Sequence, residues 1–342
     1  MTSQHSKIAL IELFPYHTEC LYSQLLFLQG SQHVTLICDR KVESIVSDFA
    51  NMCEQIRYYD FSKFSALVKL QLFLFKHKFD AAILNTAQGS RPLKFVLLPH
   101  RSTMKIVGTV HDTGKINTSF GQKLICNRLN GFYVLAGYID KQIPTTWNYR
   151  HQYFLPIYYP PYTNIPIDKK GEIWVSIPGA IEYKRRDYKA LLEIAKNELL
   201  DKRIKFVLLG NKNLGQGSDF LSQIEKENLS NRFITFDGRV PNPLFYSYIK
   251  HSDYLLTLIH PNVDSFEAYM IAKISGMFPL AMAYNKTLLC HNGFAHVKDF
   301  DFKARYYNTA NELVDILNKP LNQAESVQVD FEANKQRYLQ LL

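Results

Sequence analysis

Two successive trains of alternating strand-like and helix-like segments, parted by a proline-rich stretch, limit this chain to few architectures. In the first train, short apolar runs suited to fully buried strands fall at 8–13, 34–38, 81–84, 105–110 and 132–135. Helix-like segments at 21–29, 41–52, 61–78, 92–98 and 120–129 lie between them. Repeated strand–helix order with short connections calls for a parallel sheet, because a parallel neighbour is reached only by a crossover, and each crossover helix covers a sheet face. The stretch 156–172, PIYYPPYTNIPIDKKGE, carries four prolines and ends in charge and glycine, which reads as a linker. The pattern then restarts, with strands expected at 173–177, 206–209, 233–236 and 254–259 and helices at 188–196, 219–227, 244–250 and 310–317. A helix and strand at 276–290 complete this train, and FEANKQRYLQLL closes as a terminal helix. The expected fold class is therefore α/β, with two doubly wound parallel-sheet domains. They would span 1–157 and 173–325, with a linker at 158–172. A terminal helix would occupy 326–342, packing back on the first domain being one arrangement open to it. Ligands in such sheets sit at the carboxyl ends of the strands, here in a cleft between the domains.

A chain of 342 residues suits two ordinary domains. No stretch approaches the ~18 uncharged apolar residues of a membrane span, and MTSQHSKIALIEL lacks the apolar core and cleavage site of a signal peptide. Five scattered cysteines without a CxxC pair point to reduced thiols and a cytoplasmic setting. Charge is uneven: residues 1–160 hold 17 Lys and Arg against 10 Asp and Glu, a net of +7, whereas 161–342 hold 23 against 21, a net of +2. A basic first half suits an anionic partner, such as membrane lipid, a lipid-diphosphate acceptor or nucleic acid; a plain soluble basic surface explains it as well. Nucleic acid is the weakest of these, because the cations are dispersed and no nucleic-acid motif is present. Within that half, segment 61–79 mixes Lys63, Lys69, Lys76 and Lys78 with many Leu and Phe. It reads either as a core helix with snorkelling lysines or as an amphipathic helix lying on an anionic membrane, at its inner face.

Residues with chemical potential gather late in the chain. The stretch 265–289 reads as a loop ending in Lys273-Ile274-Ser275-Gly276, a short apolar helix and a buried strand. Unpaired N–H groups of Ser275 and Gly276 at a helix mouth, with Lys273 nearby, form an anion site. After the strand at 173–177, Gly179 precedes Lys184, Arg185 and Arg186, and guanidinium groups grip phosphate oxygens in pairs. The alternative for that cluster is a solvated basic turn. Gly210 and Asp237-Gly238 end the next two strands, and single glycines there are weak signals. In the first half, His111 follows a strand, and His17 and Glu19 lie in the loop after another, where Thr18 capping the next helix explains much without function.

Taken in order, Gly179 with Arg185 and Arg186, VLLG (207–210), FDGRV (236–240) and GMFPLAMAYNKTLL (276–289) resemble the donor domain of GT-B glycosyltransferases, in particular the retaining family 4 type. The resemblance covers about residues 173–290, with a looser match of the first half to the acceptor domain. It departs from the family where Ala281 stands for a Glu expected to contact the donor ribose. Neither Glu267 nor Asp264 fits the spacing of the earlier Glu, and Ala180 replaces an Arg, leaving phosphate binding to Arg185 or Arg186. What the resemblance implies is a GT-B fold of two Rossmann-like domains. The activity would be transfer of a sugar from a nucleotide-sugar donor, uridine-linked in expectation, to a glycan or lipid-linked acceptor. Transfer would retain configuration and need neither cofactor nor metal. Gly179, Arg185, Arg186, Gly210, Asp237, Lys273, Ser275 and Gly276 would hold the donor. His111, Arg186 and Lys273 would serve the reaction, and His17 and Glu19 would face the acceptor. Two other readings stay open, a non-catalytic GT-B module binding a glycan or partner enzyme and a sugar-nucleotide epimerase.

Overall fold

A computed structural model of the protein describes residues 6–30, 32–300, 303–319 and 329–342. The expected boundary at 325/326 and the opening residues 1–5 lie outside the described residues. The chain forms two units, the first comprising 6–160, 271–274 and 329–342, the second 161–270 and 275–319 among the described residues.

The first unit is built on seven strands, β1 (Ser6–Glu12), β2 (Gln32–Asp39), β3 (Gln55–Tyr59), β4 (Ala81–Leu84), β5 (Lys105–Thr109), β6 (Gly131–Val134) and β7 (His151–Tyr153). Their spatial order is β3-β2-β1-β4-β5-β6-β7, all parallel. The helices between them are α1 (Leu21–Leu28), α2 (Glu43–Val46), α3 (Phe64–His77), α4 (Ser90–Leu97), α5 (Gly114–Thr118), α6 (Phe120–Arg128) and α7 (Gly137–Asp140). Side chains alternate across a strand, so β1 serves two cores. Ile8 and Leu10 pack with Leu21 and Leu25 of α1, while Ala9 and Ile11 pack with Leu67, Leu70 and Leu74 of α3 and Phe95 of α4. The terminal helix, Phe331–Leu339, completes the α1 side. Buried Tyr338 stacks on Tyr133 at 4.7 Å and meets Phe154 edge-on at 5.1 Å, and the Tyr133 hydroxyl donates to the Tyr338 carbonyl at 2.6 Å.

The second unit holds six parallel strands, β8 (Ile173–Pro178), β9 (Ile204–Asn211), β10 (Phe233–Phe236), β11 (Tyr254–Leu256), β12 (Thr287–His291) and β13 (Ala304–Tyr307), ordered β10-β9-β8-β11-β12-β13. Its helices are α8 (Tyr188–Lys196), α9 (Gly217–Lys226), α10 (Asn242–His251), α11 (Phe266–Ile271), α12 (Met277–Ala283) and α13 (Ala310–Asn318). The proline-rich stretch is tied down at both ends. Tyr158 exchanges two 3.0 Å hydrogen bonds with Ser23 in the first unit. Beyond it, Tyr162 stacks on Tyr246 of α10 and Ile165 N–H donates to Ser247 at 2.7 Å.

Differences from the sequence expectation have physical causes. β3, β7 and β13, absent from the expected strands, are edge strands; covered less completely, they need no apolar run. The helix expected at 41–52 is broken into a 3-10 turn, α2 and a second 3-10 segment, Ser47–Met52. The stretch read as a loop before Lys273 contains α11. Among the described residues, no helix is long and apolar enough to cross a membrane.

Candidate active site

Each sheet reverses strand order once, between β1 and β4 and between β8 and β11. Outside the carboxyl ends of such strand pairs the loops diverge and leave a crevice. Both crevices are lined by polar groups.

In the first unit the crevice is organised by Glu12, at the end of β1, and Asn85, just past β4. Both are fully buried. The Glu12 carboxyl accepts from Asn85 Nδ2 (2.5 Å), Thr86 Oγ1 (2.7 Å) and Phe14 N–H (2.7 Å). Desolvation outweighs these three donors and raises its pKa to about 7. Asn85 also donates to the His17 carbonyl at 2.8 Å, fixing a left-handed residue (φ 62°), and accepts from buried Gln24 at 2.5 Å. No side chain caps the short 3-10 turn that starts at Thr18, so the capping expected of Thr18 is replaced by this backbone anchor.

His111 enters the same crevice from the end of β5. Its ring stacks on His17 at 4.0 Å, and its Nε2 lies 2.9 Å from the Asn85 carbonyl. A carbonyl only accepts, so Nε2 carries the proton and Nδ1 presents a lone pair. Burial and the nearby His17 lower the His111 pKa to about 3, which keeps the ring neutral. Gln88 fixes the backbone beneath it, its Oε1 accepting from His111 and Asp112 N–H at 2.8 and 2.9 Å. Glu19, whose side chain is 48% exposed, lies 3.3 Å from His17 Nδ1. Desolvation works upward on its carboxyl, but the hydrogen bond and charge of His17 hold it below the usual range. Lys273 belongs to this unit, and its carbonyl accepts from the Tyr138 hydroxyl at 2.7 Å.

In the second unit the crevice forms where β8 turns at Gly179, whose φ of +101° suits only glycine. Gly210, one residue before the end of β9, is glycine for a different reason: a Cβ there would collide with the Gly179 carbonyl. The Arg186 guanidinium lies against Gly179, 3.2 Å from where a side chain would begin, and reaches the Tyr188 hydroxyl at 3.5 Å. Arg185 instead pairs with Glu182 at 2.9 Å. Among the described residues Arg186 makes no ion pair, although it is half-buried. Asp187 next to it is fully engaged. Its Oδ1 caps α8 through Ala190 N–H at 3.0 Å, and its Oδ2 accepts from Asn262 at 2.7 Å and His260 Nδ1 at 3.1 Å. Desolvation pushes this carboxyl up, but the hydrogen bonds from His260, Ala190 and Asn262 outweigh it and leave the pKa at about 2. His260 Nε2 lies 2.8 Å from the buried Tyr307 hydroxyl, extending the chain to β13.

The remaining expected positions are dispersed. Asp237 is almost wholly exposed and pairs with Lys212 at 2.7 Å. Ser275 is buried and precedes α12, with its Oγ 3.5 Å from Met277 N–H. Open space surrounds the position a side chain would take at Gly276. Sequence reasoning missed Glu12, Asn85, Asp187 and His260. Only Glu12 carried a signal, an acidic residue inside an apolar run read as a buried strand, which is costly unless partnered.

No family model matches the chain, and no curated protein does. Solved structures do. HepE of Anabaena, in complex with UDP and glucose, is 13% identical, with a TM-score of 0.65 over 92% of this chain and 89% of that one. Sucrose-phosphate synthase of Thermosynechococcus elongatus is 15% identical, with a TM-score of 0.60 over 98% and 94%. A putative UDP-N-acetylglucosamine 2-epimerase of Listeria monocytogenes is 9% identical, with a TM-score of 0.58 over 98% and 90%. The fold is GT-B. At these identities the likeness is one of fold, and a GT-B fold hosts more than one chemistry.

Proposed function

We propose that the chain is a glycosyltransferase that moves a sugar from a uridine-linked nucleotide donor to a glycan or lipid-linked acceptor. The carrying observation is Arg186, a half-buried cation that meets no carboxylate among the described residues, set against Gly179 at the carboxyl end of a central strand. A cation so placed suits a phosphate, and guanidinium suits it best. HepE, similar in fold, has been solved with UDP and with UDP-glucose. In this reading Arg186 meets the charge that builds on the departing diphosphate, with N–H groups of Ser275 and Gly276 as further donors. Gly179 and Gly210 keep the turn open to the phosphates, Arg185 adds charge at the rim, and Asp237 borders the nucleotide. A helix terminus contributes only about 0.3–1 kcal/mol when exposed, and α12 has seven residues, so the cations must supply most of the stabilisation. Neutral His111 would accept a sugar hydroxyl at Nδ1, with His17 and Glu19 on the acceptor side. Retention of configuration rests on the family 4 resemblance, and the reading requires no metal.

The test is calorimetric titration with UDP in EDTA, with GDP and CDP as controls. UDP should bind selectively. Arg186→Ala should weaken it about tenfold or more, the loss expected for a charge-assisted hydrogen bond, while His111→Ala leaves it unchanged and slows transfer. Equal UDP affinity in wild type and Arg186→Ala overturns the site. Absence of nucleotide binding overturns the enzyme reading in favour of a non-catalytic module. One observation favours a second reading: Glu12, its pKa raised to about 7 by burial and with His17 nearby, is a carboxyl of the kind that acid–base work in an epimerase uses. Conversion of a sugar nucleotide to its epimer without added acceptor would decide for it.

A further inference from the structure

The crevices leave one feature of the first unit unused. Helices α3, α4 and α6 cover the same face of the seven-stranded sheet, α3 beside α4 and α4 beside α6, and share one core beneath them. Their outer surface is not polar. Phe64, Val68, Leu72 and Phe75 of α3, Leu97 of α4 and Phe120 of α6 are exposed, Leu72 by 66% and Phe120 by 83%. Among the described residues of this unit, only Tyr16 and Ile271 are comparable large apolar groups exposed elsewhere.

The four α3 side chains are not scattered. Spaced at i, i+4, i+8 and i+11, they fall on one stripe of the helix. The buried residues Ala66, Leu67, Leu70, Phe73 and Leu74 fall on the opposite side. The helix is thus apolar on two faces, and the second faces solvent. Lys69 and Lys76 flank the outer stripe, and Lys94 and Lys123 are exposed on the neighbouring helices. Helices α3, α4 and α6 contain no Asp or Glu, and from residue 61 to 139 eleven Lys and Arg stand against two acids, Asp80 and Asp112.

We propose that this face docks on an anionic lipid bilayer. An apolar stripe rimmed by lysines matches the two layers of such a surface, side chains entering the acyl boundary while the ammonium groups stay among the headgroups. A second copy of the same face is disfavoured, because lysine rims without any acidic counterpart would oppose each other. Nucleic acid would match the lysines but leave Val68, Leu72 and Phe75 without a counterpart. The inference stands apart from the transfer reading, since none of these residues lines either crevice.

The test is co-sedimentation of the full chain with phosphatidylcholine vesicles with and without phosphatidylglycerol. Binding is expected only with phosphatidylglycerol and should weaken with salt. Leu72→Asp with Phe75→Asp, and separately Lys69→Glu with Lys76→Glu, should each lower vesicle partitioning about tenfold or more. UDP titration and circular dichroism should match wild type in both variants, which separates loss of docking from loss of fold or of the nucleotide site. Three outcomes overturn the proposal: no binding to anionic vesicles, binding indifferent to the apolar substitutions, or a dimer in solution that Leu72→Asp with Phe75→Asp dissolves.

Discussion

Glu12 and His111 are tuned in opposite directions within one hydrogen-bonded cluster. Glu12 titrates near 7 in the folded protein against about 4.5 when unfolded, so its contribution to stability is full below 4.5 and is lost as pH rises through 7. His111, lowered to about 3, contributes above 6.5 and loses that contribution as pH falls. The two partly cancel in the wild-type profile, and the difference between wild type and Glu12→Gln isolates the carboxyl. Between pH 4.5 and 7, urea unfolding should show wild type losing up to about 3 kcal/mol relative to the variant. The amide costs about 1–3 kcal/mol at every pH, because its NH2 must face a donor. A difference independent of pH would mean that Glu12 is ionised throughout. Little of this cluster was legible in the sequence. Glu12 ends an apolar strand, and its partners Asn85, Thr86 and Gln24 come from separate segments with nothing in their local pattern to mark them. His111 stood out because it follows an apolar run read as a strand and because the family resemblance places a His there.

Among the elements, central strands were legible and three of the four edges were not; the fourth edge, β10, reads FITF and was expected at 233–236. β1, β4, β5 and β8 each carry an apolar run because both their faces are covered, whereas β3 reads QIRYY and β7 HQY, patterns equally at home in loops. The turn between β8 and α8 depends on a contact no single segment encodes. Gly210 belongs to β9, yet its missing side chain is what lets the Gly179 carbonyl approach. Gly210→Ala should therefore displace the Gly179 turn and, with it, Arg186. The expected result is a loss of about 1–3 kcal/mol in stability from overpacking together with weaker UDP binding. Alanine at Gly238, where a side chain would meet nothing within 4 Å, is the control and should change neither. Unchanged UDP affinity in Gly210→Ala would separate the turn from the site.

At the scale of the molecule, the two-sheet architecture was legible from the alternation of segments. The return of the terminal helix to the first unit was one arrangement left open, and the part of 271–274 went unmarked, because nothing local distinguishes a segment that joins a neighbouring sheet from one that joins a distant one. Residues 329–342 supply Tyr338 and Leu341 to a core that also holds Phe27, Tyr133 and Phe154. Their deletion should cost more than about 4 kcal/mol, since losing one large aromatic from a core costs about 3–5. Hydrogen exchange should then show lost amide protection in β1, β6 and β7, and retained protection there would relegate the helix to decoration. The same arrangement bears on synthesis. As the chain leaves the ribosome, its first sheet emerges early but keeps an open aromatic seat until Tyr338 has been made, after every strand of the second sheet. Domains made first usually fold first; here the earlier half must wait, so a nascent chain carries a sticky, unfinished surface while the second sheet is being made and would be a client for a holding chaperone.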